Sequence, residues 1–334
     1  MRVYEQRYQT LRRLVDGHLR TLVTQGQPKE LTDGCRYVLW AGGKRVRSTL
    51  LLLSCEAVGG NVRKALNASA AIELMHNFTL VHDDIMDNAA SRRGRATVHT
   101  RWNVNNAILV GDVLLGLAYK QVLRTSSAKL QSILQIFTQG FADVCEGQAL
   151  DLEFEHRSDV TLNDYFEMIE KKTGRLISTS TELGALVGGG TAKQVQALRT
   201  FGRHLGRAFQ LQDDLLDVVA EEKEFGKRIG GDIIEGKKTF LLLKSLENAK
   251  GKDHAALMNV MNRRSATSRL KSKDREMEIR NVASIYLSTG AIDSARKQIQ
   301  KDTSKARAAL RSLPASTGRE TLLWFSEMLL SRNS

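Results

Sequence analysis

Proline and cysteine are scarce in this chain, and aromatic residues are few. Its 334 residues include two prolines, Pro28 and Pro314, both near the ends. Proline removes a helical donor and clashes with the preceding turn, so nothing between these two forbids long uninterrupted helices. The three cysteines, Cys35, Cys55 and Cys145, are scattered with no C-x-x-C pair. This excludes a disulfide framework or a cysteine zinc site and fits a reducing compartment. Aromatics make up 6% of the chain and no nucleic-acid motif occurs, so nucleic acid is not an expected partner. No apolar run approaches the roughly 18 residues that span a bilayer. The opening MRVYEQRYQTLRRL has no apolar core of a secretory signal. The expectation is a soluble cytoplasmic protein with no transmembrane segment. Convincing strand alternation is also missing.

Helical periodicity is what remains, backed by 42% hydrophobic residues, enough for a sizeable core. Helices are predicted at about 2–24, 47–58, 62–87, 104–123, 127–153, 161–187 and 192–220. Others follow at 238–249, 253–262, 275–312 with a break near Gly290, and 317–331. The segment 47–58 is apolar nearly all round and reads as buried. Residues 88–100 and the charged, glycine-rich 221–237 read as loops. No composition shift marks a linker, so one all-α domain over 1–334, a bundle of more than ten helices, is the predicted architecture. The formal charge is +13, and residues 251–334 hold sixteen Lys/Arg against eight Asp/Glu. Such a surplus suits phosphorylated substrates or an anionic surface, although most of the C-terminal charges read as a solvated face.

One pattern, Asp-Asp-x-x-Asp, occurs twice, 130 residues apart: Asp83, Asp84, Asp87 and Asp213, Asp214, Asp217. Helical residues four apart lie one above the other, so Asp83 with Asp87, and Asp213 with Asp217, form two acidic faces. Carboxylates crowded on half-buried helices repel one another and lose hydration unless a cation intervenes. Mg²⁺ is the natural partner, and it keeps coordination sites for water and phosphate oxygens. The pair of clusters therefore points to a metal-bridged phosphate ester. Arg92 and Arg93 follow the first cluster, and guanidinium groups match phosphate bidentately. Gly42-Gly43-Lys44-Arg45-Val46-Arg47 opens a helix, where backbone N–H groups and the dipole favour an anion, but the spacing is not that of a nucleotide loop. Lys172-Thr173-Gly174 interrupts a helix. Lys227 and Lys237 sit on the glycine-rich segment, where they are placed to close over a phosphate.

With these motifs in view, the chain resembles the trans-type short-chain isoprenyl diphosphate synthases, the farnesyl and geranylgeranyl diphosphate synthases. The likeness runs from Gly42 to Thr239 in family order: GGKRVR, HDDIMD with RRG, Gly111-Asp112, GQALDL, KKTG, FQLQDDLLD and GKRIGGDIIEGKKT. It implies an isoprenoid-synthase bundle around a deep central cavity, working as a homodimer. It implies head-to-tail (1'-4) condensation of isopentenyl diphosphate with an allylic diphosphate. Asp83, Asp87, Asp213 and Asp217 would bind three Mg²⁺, with Mn²⁺ as a substitute, supported by Asp84 and Asp214. Arg92, Lys172, Lys227 and Lys237 would grip the allylic diphosphate. Thr173 and Gln210 would face the reacting carbon. Lys44, Arg47, His76 and Arg93 would hold isopentenyl diphosphate.

In the family an aromatic on the helix before the first cluster limits chain growth. Phe78 stands there, with Thr79 and Met75 one and two turns below Asp83, and the small Thr79 favours a C20 product over C15. Ser48 replaces a proline common in the family. His99, Cys145 and Asp151 read as structural, with Asp112 and Gln148 as secondary candidates. Three rival readings stand beside this one. A di-iron carboxylate bundle would use Glu73-x-x-His76 and Glu153-x-x-His156. A terpene cyclase would lack the second Asp triplet. A non-catalytic synthase subunit would have lost Asp or Arg residues that are all present here.

Overall fold

Helices carry nearly all the regular structure, as the periodicity predicts. The computed structural model describes residues 2–23, 26–219, 230–263 and 272–330. The helices are α1 Arg2–Leu22, α2 Lys29–Leu39, α3 Val46–Ala57, α4 Leu66–Met86, α5 Val98–Arg101, α6 Val104–Leu123, α7 Leu130–Phe154, α8 Leu162–Ile169, α9 Arg175–Val187 and α10 Ala192–Val219. After them come α11 Gly231–Glu235, α12 Phe240–Asn248, α13 Gly251–Met261, α14 Ser272–Ser288, α15 Ala291–Leu310 and α16 Thr317–Leu330. Two compact units can be recognised, one from residues 1–141, 176–199 and 310–324, the other from 142–175, 200–309 and 325–334.

In the first unit, α3 is buried on all sides, with Leu50, Leu51, Leu52 and Leu53 fully enclosed. Each fully buried leucine contributes about 1.5–3 kcal/mol, so this helix anchors its unit. It packs on α1 and α4, and α4 packs along α6. Gly184 of α9 meets α3 so closely that a Cβ there would lie 2.1 Å from the Leu51 carbonyl oxygen. The core of the second unit gathers Tyr165, Leu211, Leu215, Leu242, Leu257 and Tyr286. Thr161 and Asp164 cap α8 reciprocally, each accepting from the other's backbone N–H (3.2 and 2.8 Å), which fixes its start.

Several expectations are corrected. Helix α2 was not anticipated, because its 11 residues hold a mixture of charge and glycine. Residues 88–100 are not a plain loop: Ser91–Arg92 and Arg95–Ala96 pair as an antiparallel hairpin (β1, β2), and α5 follows. Strands of two residues are too short to give a readable alternation. Helix α11 interrupts the segment expected to be a loop at 221–237. The stretch 161–187 is not one α-helix, since Glu170–Gly174 forms a π turn between α8 and α9. Finally, α6 is long and apolar enough to cross a membrane by length and composition. It runs against α4 and buries Ala107, Val110, Leu114 and Ala118, while Val104, Ile108, Leu109 and Leu123 stay exposed.

Candidate active site

In the first unit, α4 delivers the first acidic cluster to its own C-terminal end. Asp87 caps the helix and donates its N–H to the Asp83 carbonyl at 2.8 Å. Asp83 is half-buried and Asp87 exposed, while Asp84 turns inward to meet Arg92 Nε at 2.7 Å. Burial pushes the Asp84 carboxyl above its ordinary range, against the pull of Arg92. The hairpin is what brings Arg92 back over the helix end. Its next residue, Arg93, takes a left-handed conformation and donates from Nη1 to the Gly42 carbonyl at 2.8 Å.

The GGKRVR segment divides its cations by role. Arg45 is buried, paired with Asp16 at 2.8 Å and Glu73 at 2.9 Å, so it is structural. Ser48 lies 2.8 Å from Glu73 Oε2, which gives the unusual serine a place in the same buried network. Lys44 stays exposed at the helix start, and its carbonyl accepts from the Tyr8 hydroxyl at 2.8 Å. Arg47 Nη1 lies 3.1 Å from His76 Nε2. A guanidinium only donates, so Nε2 is the acceptor and the neutral ring carries its proton on Nδ1. Burial first, then Arg47, Arg93, Arg92 and Arg45, hold the His76 pKa well below its usual value. Four arginines around a neutral imidazole make a strongly electropositive corner. With Glu73 and His76 both turned to arginines, neither is disposed as an iron ligand.

Phe78 is buried against the His82 ring at 4.5 Å and the Phe141 ring at 5.5 Å. Met75 is fully buried one turn earlier, and Thr79 is half-buried, its hydroxyl donating to the His76 carbonyl at 2.8 Å.

In the second unit the π turn sets the geometry. It holds Lys172 and Thr173, as π turns often do at functional positions. Lys172 forms an ion pair with Asp151. Thr173 Oγ1 donates to Gln210 Oε1 at 2.8 Å, and Gln210 Nε2 donates to Asp214 Oδ1 at 2.7 Å. Tyr165 closes the chain, its hydroxyl donating to Asp214 Oδ2 at 2.7 Å. Gly147 of α7 lets this turn approach: a Cβ there would lie 2.2 Å from the Lys172 nitrogen. Asp213 is half-buried, and Asp214 and Asp217 are buried. Burial, reinforced by the charge of Asp232, pushes Asp214 up to about 7 and Asp217 up to about 6. The Asp232 N–H nonetheless donates to Asp217 Oδ2 at 3.0 Å. Lys237 approaches Asp232 at 3.5 Å and Glu235 at 3.0 Å, and although desolvation works against it, these carboxylates hold its pKa above the ordinary value. Lys227 lies outside the described residues.

Asp232 and Tyr165 are the residues sequence reasoning passed over. Asp232 stands inside GKRIGGDIIEGKKT, so the motif itself held the signal. Asp151, read as structural, is the partner of Lys172. Gln148, kept as secondary, is buried with both amide atoms unpartnered among the described residues. Asp112 is mostly exposed, 4.0 Å from His82.

The donor set fits a hard divalent cation. Three carboxylates, Asp214, Asp217 and Asp232, repel one another in a desolvated setting, and a cation would relieve that repulsion. Among the described residues, no three His, Cys, Asp or Glu converge into a ready cage. Mg²⁺ accepts such a setting, since it binds through one or two carboxylates and completes its shell with water and phosphate.

A family model for polyprenyl synthetase matches residues 28–277. The chain is 40% identical to a short chain isoprenyl diphosphate synthase of Methanothermobacter thermautotrophicus, over 96% of this chain and 95% of that one. It is 36% identical to a geranylgeranyl pyrophosphate synthase of Geoglobus acetivorans, over 96% and 97%. The crystal structure of geranylgeranyl pyrophosphate synthetase from Pyrococcus horikoshii superposes with a TM-score of 0.91, at 38% identity and 99% coverage of both chains.

Proposed function

The chain belongs to the polyprenyl synthetase family, as a trans-prenyltransferase of the short-chain type, and we propose that it makes the C20 product geranylgeranyl diphosphate. The substrates are isopentenyl diphosphate and allylic diphosphates of increasing length, joined head to tail. The observation that carries the reading is the chain of hydrogen bonds from Thr173 through Gln210 to the buried Asp214, which places a hydroxyl and an amide oxygen beside an acidic cluster.

The family uses divalent metal ions; Asp83, Asp87, Asp213 and Asp217 would hold three Mg²⁺, with Mn²⁺ as a substitute, and Asp217 is the member of this set that belongs to the crowded carboxylates described above. When bound, they supply the positive charge that stabilises departing pyrophosphate. The chain's own residues do the rest. Arg92, Lys172, Lys227 and Lys237 grip the allylic diphosphate and share its developing charge. Asp84 orients Arg92, and Asp214 orients Gln210. Lys44, Arg47 and Arg93 bind the diphosphate of isopentenyl diphosphate, and His76 donates to it from Nδ1. The oxygen dipoles of Thr173 and Gln210 stabilise the allylic cation after the C–O bond breaks, while apolar surroundings keep water from trapping it. The double bond of isopentenyl diphosphate then attacks, and the proton lost from the adduct passes to the departed pyrophosphate. Phe78, backed by Phe141 and with the small Thr79 beside it, sets the length at which growth stops.

Incubating the protein with Mg²⁺, isopentenyl diphosphate and C5, C10 or C15 primers tests the reading. Accumulation of the C20 diphosphate from each primer is expected. A dominant C15 or C25 product would overturn the assigned length, and no elongation by folded protein would overturn the function.

A further inference from the structure

The first unit carries a second cationic feature, built from none of the residues above. A recess of about 540 Å³ is lined by Arg36, Arg95, Arg101, Tyr37, Trp40 and Trp102. Helix α2 supplies Arg36 and Tyr37 and the residue capping its end is Trp40, the hairpin supplies Arg95, and the end of α5 with the residue after it supplies Arg101 and Trp102. The Tyr37 hydroxyl donates to the Ala96 carbonyl at 2.8 Å and so ties α2 to the hairpin. Tyr37 and Trp102 meet edge to face, with ring centroids 5.4 Å apart.

Every guanidinium in the recess lies over a ring. Arg36 is 5.3 Å from the Trp40 centroid, Arg95 is 4.0 Å from Tyr37, and Arg101 is 4.5 Å from Tyr37 and 4.8 Å from Trp102. Each of the three rings thus has a cation over it. A guanidinium over a ring rests its apolar face there and keeps its N–H edges for acceptors. Arg36 uses Nε on the Val23 carbonyl at 3.2 Å. Arg95 and Arg101 form no ion pair with any carboxylate among the described residues. The lone acidic lining residue is Asp33, so three positive charges face one negative. Two of them share a single tyrosine ring, which is repulsive unless an anion joins them.

We propose that this recess is a second phosphate site, which takes a phosphoryl or diphosphoryl group on the N–H edges of Arg36, Arg95 and Arg101 with no metal ion. The recess is roomy enough for a diphosphoryl group, so selection rests on charge and on the forked donors, which suit phosphate oxygens. The phosphate can belong to a free small molecule or to the headgroup of an anionic lipid.

The chain has three tryptophans, and two of them line the recess. The full-length Trp324→Phe protein therefore reports on this place through Trp40 and Trp102 alone. Its fluorescence is followed with EDTA present while inorganic pyrophosphate is added, and separately while phosphatidylglycerol or phosphatidylcholine vesicles are added. A saturable change with pyrophosphate is expected, and Arg95→Gln and Arg101→Gln, both at exposed positions, should each raise the half-saturating concentration about ten-fold or more. A change that needs phosphatidylglycerol vesicles, and is weakened by the same variants, assigns the site to lipid headgroups. No saturable change with either probe, or one untouched in both variants with native circular dichroism, overturns the proposal.

Discussion

Replacing Phe78 by alanine probes how this enzyme would stop chain growth. Phe78 is 7% exposed, on α4 five residues before Asp83, against the rings of His82 and Phe141. Truncating a buried phenylalanine costs about 3–5 kcal/mol. At about 2 °C per kcal/mol for a chain of this size, the melting temperature should fall by roughly 6–10 °C. No charged group and no hydrogen bond is touched, so the rate of each addition should stay within about ten-fold of the parent. What changes is space. A helical turn rises about 5.4 Å, close to the length of one isoprene unit, so removing the ring should admit one further addition. The assay is chromatography of the dephosphorylated products from labelled isopentenyl diphosphate with a C15 primer, and the dominant product should move from C20 to C25. The opposite change, Thr79→Phe, should shift it towards C15. An unchanged product distribution from folded Phe78→Ala protein would refute Phe78 as the stop.

Other expectations follow from the same geometry. Asp83→Ala and Asp213→Ala should each lower kcat by at least about a thousand-fold (roughly 4 kcal/mol of transition-state stabilisation) with helical circular dichroism intact, and EDTA should abolish turnover until Mg²⁺ is restored. Asp232→Asn removes the charge that presses on both Asp214 and Asp217. If Asp232 helps recruit the metal, the Mg²⁺ needed for half-maximal rate should rise about ten-fold, and an unchanged Mg²⁺ titration would count against that role. Asp302 offers a pH test away from the chemistry. Burial works against its charge, but hydrogen bonds from His204 at 2.8 Å and Gln298 at 2.7 Å, with Arg207, hold its carboxyl below the usual range. That stabilisation is present above the unfolded-state value near 3.9 and is lost as pH falls through the lower folded-state value. Asp302→Asn should therefore melt lower than the parent at pH 7, with the gap closing as the pH drops below about 4; a gap independent of pH would sink the assignment.

The large features were legible because they repeat. Periodicity over 20 or so residues identified α4, α6 and α10, and a four-residue spacing identified both acidic faces. The features that escaped depend on distances the chain alone does not encode. Arg45 and Arg47 look alike in GGKRVR, yet one is buried against Glu73 and the other meets His76. Tyr165 is an ordinary core aromatic until α10 sets Asp214 within 2.7 Å of its hydroxyl. Asp232 gains meaning only from its nearness to Asp217. The hairpin was missed because two-residue strands have no period, although it is what returns Arg92 to Asp84.

The π turn at Glu170–Gly174 makes this stretch far more sensitive to length than to composition. A π turn holds one residue more than an α turn, so deleting one residue here would relax it to α geometry and remove the bulge that presents Lys172 and Thr173. Lys172 and Thr173 could keep their identities and still lose Asp151 and Gln210. Homologous sequences trimmed or extended here by a single residue should therefore be inactive, whereas side-chain changes at Glu170 or Lys171 should pass with little effect.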